Sequence, residues 1–129
     1  MADTVDMPAT TWYNGTYFIT GMTNTDIGAG KSNTRSIIQQ QGRTGNYAAL
    51  ECVKSRKGGF KDWYLPSRDE LSQLYLHQNV VGTFSYGYYW SSSEIHDSSL
   101  FSWGVYFYSG VQYANQKNYI GFVRAIRSF

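Results

Sequence analysis

Glu94, His96 and Asp97 place two carboxylates and an imidazole within four residues, donor types that hold divalent cations. A closed site needs more donors at ligand spacing. The only other histidine is His77, no second cysteine accompanies Cys52, and no Asp-rich calcium spacing occurs. These residues read as surface polar groups, and no metal is expected. "GAGKS", Gly28 to Ser32, ends like a phosphate-binding loop. The glycine that should open that motif is replaced by Thr25, and the preceding "GMTNTDI" is a poor buried strand. A polar loop running into a helix, with Lys31 solvated, is the better reading. Nucleophilic catalysis needs a base in reach and a group that orients it. Serines are plentiful, but nothing marks either histidine as a base, and Cys52 falls on the apolar stripe of a helix. No pair of carboxylates stands out as acid and base. The chain is expected to be a non-enzyme that uses no cofactor.

The elements that must position any site differ between the two halves. "WYNGTYFIT", residues 12 to 20, predicts a strand or hairpin turning at Asn14-Gly15. "GMTNTDIGAG" predicts a loop. "NTRSIIQQQG" predicts a short helix stopped by Gly42. "NYAALECVKSRKGG" predicts a helix that buries Ala48, Leu50 or Ala49, Cys52 and Val53, carries basic residues in its last turn and ends at Gly58-Gly59. Asp62 to Leu65 is a short extended piece broken by Pro66. Ser67 then caps a helix with Glu70 as its capping-box partner, and Leu71, Leu74 and Tyr75 share one helical face.

Past about Val81 the helical period is gone. "SYGYYWSSSE", "SWGVYFYSG", "GVQYAN" and "NYIGFVRAIRSF" are short, aromatic or β-branched, and punctuated by Gly, Asn and Ser. Strand alternation puts Trp103, Val105 and Phe107 toward the core and Gly104, Tyr106 and Tyr108 on the opposite face. Trp63, Trp90 and Tyr89 read as core anchors; sugar stacking by Trp90 or Trp103 is the weaker alternative. The class is α+β, with two to three helices early and antiparallel strands and hairpins late. Residues 1–129 are expected to form a single domain, without internal repeat or linker.

A net charge of +2 is too small to argue for nucleic acid or an anionic membrane. No apolar run nears the roughly 20 residues that span a bilayer. The opening "MADTVDMPATTW" is acidic and polar, unlike a secretory signal. Aromatic residues make up 18% of the chain and crowd its end: from Phe84 onward stand seven Tyr, five Phe and two Trp, beside three Lys/Arg and two Asp/Glu. One small core does not hide that many rings, so some tyrosines are exposed. Residues 86–122, rich in Tyr, Ser, Gly and Asn, have the composition of antibody recognition loops, where Tyr gives a large amphipathic contact at low entropic cost.

"GKSNTRSII", "YAALEC", "GGFKDWYLPSRDELSQLY", "GYYWSSSE", "SWGVYFYSG" and the terminal "VRAIRSF" follow the order seen in Lcl-like C-terminal domains. The chain resembles that family from about Thr20 onward, with a longer segment between Glu94 and Trp103. The resemblance implies a C-type lectin-like fold. Some members of the family resemble the variable proteins of diversity-generating retroelements, in which adenines near the 3′ end of the gene are randomised. Asn codons then become Tyr, Ser, Asp, His, Ile, Val, Leu, Phe, Ala or Gly, but not Gln, Lys, Glu, Met or Trp. On that resemblance the variable, ligand-contacting positions are Ile95, His96, Asp97, Leu100, Phe101, Tyr106, Tyr108, Val111, Tyr113, Ala114, Asn115, Asn118, Tyr119, Ile120 and Phe122. Gly110, Gln112, Gln116, Lys117, Arg124 and Arg127 belong to the invariant frame. The expected function is recognition of a protein or cell-surface ligand, displayed on a cell or virion surface by a monomer or homo-trimer. A polysaccharide or glycosaminoglycan adhesin, or a trimer-forming tip, is the alternative. The few basic residues of the C-terminal half count against an anionic glycan.

Overall fold

The computed structural model describes residues 2–21 and 24–128. Met22 and Thr23 of the expected loop, and Phe129 of the terminal motif, lie outside the described residues. The architecture is α+β. Strand β1 spans Met7–Thr10; helices α1 (Gly30–Gln41), α2 (Ala48–Lys54), α3 (Arg68–Leu76) and the single turn α4 (Gln78–Val81) follow. Strands β2 (Tyr88–Glu94), β3 (Phe101–Tyr106), β4 (Gln112–Gln116) and β5 (Gly121–Val123) complete a five-stranded sheet in the order β1-β5-β2-β3-β4. The pairs are antiparallel except β2 with β5, which run parallel with Tyr89 opposite Phe122. That pair corrects the all-antiparallel expectation: residues 117–120 carry the chain past β3 and β2 before it joins the sheet as β5.

Three further expectations are corrected. Residues 12–20 form no strand or hairpin. Their hydrogen bonds go to other elements: Trp12 N–H donates to the Lys117 carbonyl, and the Asn14 amide donates to the carbonyls of Gln41 (3.0 Å) and Thr44 (2.7 Å). The strand of this region is β1, which "MPAT" does not announce. The second helix stops at Lys54, not at Gly58-Gly59. Ser55 is already extended, and a separate 3-10 turn spans Lys57–Gly59. The third concerns Trp103, which is only half-buried, with the Arg68 guanidinium 4.9 Å from its ring centre. Other elements follow the sequence closely. Gly42 ends α1, and the Ser67–Glu70 capping box opens α3.

The sheet has a core on each face. Tyr88, Trp90 and Val123 pack with Trp12, Ile37 and Leu50 under α1 and α2. Tyr89, Val105 and Phe107 pack with Leu71 under α3. Cys52 is buried in the first core, which pushes its thiol pKa up and leaves it inert. In "YWSSSE" the pairing register shifts between Trp90 and Glu94, and the three serines absorb the irregularity. Ser91 Oγ donates to the Trp103 carbonyl, Ser92 N–H to the Pro66 carbonyl, and Arg68 N–H to Ser93 Oγ. All three serines are buried, and apolar replacement of Ser91 or Ser93 would strand a backbone group.

Candidate ligand-binding face

The site is built on Tyr88. Gly104 lies opposite both Trp90 and Tyr113 in the sheet, and a Cβ there would strike the Tyr88 ring and the Tyr89 carbonyl. The missing side chain lets Tyr88 lie across β3 and donate its hydroxyl to the Tyr113 carbonyl at 2.9 Å. Burial pushes the Tyr88 hydroxyl pKa far up, so it stays a neutral donor. Around this buried ring the other tyrosines assemble, two edge to face and two tilted. Tyr106 and Tyr119 touch Tyr88 at centroid distances of 5.0 and 5.5 Å. Tyr108 and Tyr113 touch Tyr106 at 5.3 and 5.6 Å. Tyr108, Tyr113 and Tyr119 are 62%, 50% and 43% exposed, while Tyr106 is half-buried between them. The result is a connected aromatic surface whose rings brace one another.

A buried ion pair anchors the segment that carries Tyr119. Lys117 Nζ donates to Glu94 Oε2 at 2.6 Å and to the Phe18 carbonyl at 2.8 Å, and lies 4.6 Å from the centre of the Trp12 ring. Both charged side chains are 0% exposed. Glu94 also accepts from the backbone N–H groups of Thr20 and Gly21. Burial pulls the Lys117 pKa down, and the hydrogen bond and charge of Glu94 oppose that. Glu94 is therefore not the surface polar group expected from the sequence. It ties β2, residues 18–21 and the start of the 117–120 segment to one point.

The predicted variable residues fall into three settings. Tyr106, Tyr108, Tyr113 and Tyr119 form the ring-linked surface; Val111, Asn118 and Ile120 are exposed in the turns and loops beside them. Ile95, His96, Asp97 and Leu100 make the β2–β3 connection, where exposed His96 and Asp97 pair at 3.2 Å; Phe101 begins β3. Ala114 stands opposite Trp103, on the α3 side of the sheet, and Phe122 packs half-buried against Tyr89 at 5.3 Å. These two therefore point away from the tyrosines. Asn115 lies opposite Ser102, and Asn115 Nδ2 and Ser102 Oγ are buried without hydrogen-bond partners.

Frame residues do structural work. Gln112 Nε2 donates to Ser72 Oγ at 2.9 Å, tying β4 to α3. Gly110, at φ 79°, closes the β3–β4 turn against Tyr75. Buried Arg124 pairs with Asp6 at 2.7 Å and donates to the Asp3 carbonyl, and Arg127 pairs with Asp62 at 2.7 Å. Sequence reasoning missed Tyr88 as the support of the face and the Glu94–Lys117 pair. Tyr88 and Tyr89 are both buried, and "GYY" gives no sign of which one supports the exposed rings. The one available signal for the pair was a lysine inside a stretch almost free of charge. Tyr86, 85% exposed, was also left out. Among the described residues no group of three or more His, Cys, Asp or Glu side chains could hold a metal ion.

The helices thus brace a sheet that exposes an aromatic surface. The model of the Lcl C-terminal domain family matches residues 6–127, and the chain belongs to that family. No curated protein matches the chain.

Proposed function

We propose that this chain is a ligand-recognition module of C-type lectin-like architecture that displays a diversified, tyrosine-rich face to a protein or cell-surface ligand. One observation carries the reading: Tyr106, Tyr108, Tyr113 and Tyr119, from β3, the turn after it, β4 and the segment before β5, meet as one aromatic surface, exposed at Tyr108, Tyr113 and Tyr119, on the buried Tyr88. Such a surface supplies contact area with few torsions to freeze, and a single Tyr anchor contributes about 2 kcal/mol or more to binding. Family membership supports a surface-type module. The contrast between buried Lys117 and Arg124 of the frame and exposed Tyr108, Val111, Tyr113, Asn118, Tyr119 and Ile120 among the predicted variable positions supports diversification. Glu94, Lys117 and Arg124 hold the fold, and none of them faces the tyrosines' solvent side. The module acts without a cofactor and without catalysis, on a cell or virion surface, as monomer or trimer.

The test is a binding screen against a panel of surface proteins, with Tyr106, Tyr108, Tyr113 and Tyr119 changed to Ala singly and together. Binding that persists in a folded quadruple variant would place the site elsewhere. Diversification has its own genomic test: a near-copy of the 3′ coding segment, differing mainly at adenines, beside a reverse transcriptase gene. Its absence would leave an undiversified binding domain.

A further inference from the structure

A groove of about 680 Å³ opens between α1, Val53 on α2, and residues 61–64. It shares no residue with the tyrosine face. Lys31, Arg35, Arg43 and Lys61 stand on its rim, all exposed. None of the four has a carboxylate partner among the described residues. The single acid in the lining, Asp62, is held by Arg127 through two hydrogen bonds of 2.7 and 3.0 Å and offsets one of the four rim charges. Four cations and one carboxylate give the lining a formal charge of +3, against +2 for the whole chain. The rest of the molecule is therefore slightly acidic, and the positive charge is concentrated here. Lys31 and Arg35, spaced i and i+4 on α1, lie side by side along one wall.

The groove's interior is mixed, with Thr34 and Gln39 beside Ile38 and Val53. Ile38 is buried and Val53 half-buried in its lining. Three polar side chains nearby are already used, while the exposed Gln39 amide is open to a ligand. Trp63 Nε1 donates to the Lys57 carbonyl, the Tyr64 hydroxyl pairs with Ser128 Oγ, and Thr34 Oγ1 donates to Gly30 and accepts from Leu65 N–H. A ligand thus meets positive charge at the edge and a small apolar patch at Val53 and Ile38 in the middle. Its volume lies within the range of about 300–1,000 Å³ usual for ligand sites.

We propose that this groove docks an acidic peptide segment of a partner protein, with one aliphatic or aromatic side chain seated between Ile38 and Val53 and its carboxylates on the cationic rim. A sugar chain fits less well: Trp63 and Tyr64 are 5% and 6% exposed and present no ring face for stacking. The same lack of an open ring disfavours single-stranded nucleic acid, which binds by stacking bases on aromatic side chains. A small inorganic anion would meet only exposed, salt-screened cations. An extended segment spans several cations at once and adds apolar burial. Because every lining residue precedes position 65, the groove stays constant however residues 86–122 vary, which suits a fixed partner.

The test uses fluorescence anisotropy with the full chain and a panel of labelled acidic octapeptides. Each peptide carries one Leu, Ile or Phe at a different position; an all-acidic octapeptide, heparin and duplex DNA serve as comparison ligands. At least one anchored peptide is expected to bind saturably, about tenfold or more tighter than the anchorless one, equivalent to about 1.4 kcal/mol. Arg35→Glu/Arg43→Glu and, separately, Lys31→Glu/Lys61→Glu should each weaken it about tenfold or more with unchanged circular dichroism. Tyr108→Ala/Tyr113→Ala should leave it unchanged, which separates this site from the tyrosine face. The proposal is overturned if no anchored peptide exceeds the anchorless one, if the rim variants bind as well as the parent, or if heparin or DNA binds more tightly than every peptide.

Discussion

Removing one partner of the Glu94–Lys117 pair should be among the most damaging single changes in this chain. Lys117→Met keeps the aliphatic stem and deletes the ammonium. It leaves the Glu94 carboxylate 0% exposed, with the Thr20 and Gly21 N–H donors but no counter-charge. Breaking a buried pair in this way costs about 3–5 kcal/mol, because the orphaned charge keeps its desolvation penalty. Glu94→Gln strands the Lys117 ammonium against the Phe18 carbonyl and the Trp12 ring and should cost a similar amount. The double variant removes both charges. It should be more stable than the sum of the single losses predicts, with a coupling energy of about 2 kcal/mol. Urea unfolding followed by tryptophan fluorescence reads all four corners of the cycle, with equal slopes confirming that the unfolded states are comparable. Single losses below about 1 kcal/mol, or additivity within about 0.5 kcal/mol, would refute a desolvated pair as the anchor of the 117–120 segment.

Other outcomes follow from the same geometry. Gly104→Ala should destabilise by about 1–3 kcal/mol or more in thermal or urea melts, since its Cβ meets the Tyr88 ring and a backbone carbonyl. Ser67→Ala should cost about 1–2 kcal/mol in the same melts: it deletes both the cap to Glu70 N–H and the bond to the Asp26 carbonyl. Glu51 is buried with Oε2 unpartnered, and burial pushes its pKa up to about 7. Its folded pKa thus lies above its unfolded one, the native state binds the extra proton, and stability should fall as pH rises from about 4.5 to 7, by up to about 3 kcal/mol. Glu51→Gln should flatten that slope in denaturation curves taken across this range; an unchanged slope would assign it to other groups.

The elements with strong local chemistry were legible in the sequence. Ser67 and Glu70 announced α3, Gly42 announced the end of α1, and the alternation through Val105 and Phe107 named buried residues correctly. The failures share a cause: long-range contacts overrode local pattern. Asn14-Gly15 reads as a hairpin turn, yet the Asn14 side chain bonds to Gln41 and Thr44. Trp103 alternates with the core but sits where α3 offers Arg68 rather than an apolar wall. Glu94 looks like a loop carboxylate until Lys117, 23 residues away, is brought against it. Of the face, the exposed tyrosines were visible as a surplus of rings. Their convergence on Tyr88 was not, since it depends on Gly104 and on the path of residues 117–120 across the sheet.

The central claim is that the face varies while the frame folds. The most direct measurement is a displayed library in which Tyr108, Val111, Tyr113, Asn118, Tyr119 and Ile120 are randomised together. Protease resistance of each member and enrichment against several unrelated surface proteins are then scored. The account predicts that most members stay folded, since exposed substitutions usually shift stability by about 0.5 kcal/mol or less, and that different targets enrich different sequences at these positions. A library that is largely unfolded, or target binding that persists whatever residues occupy the face, would contradict it.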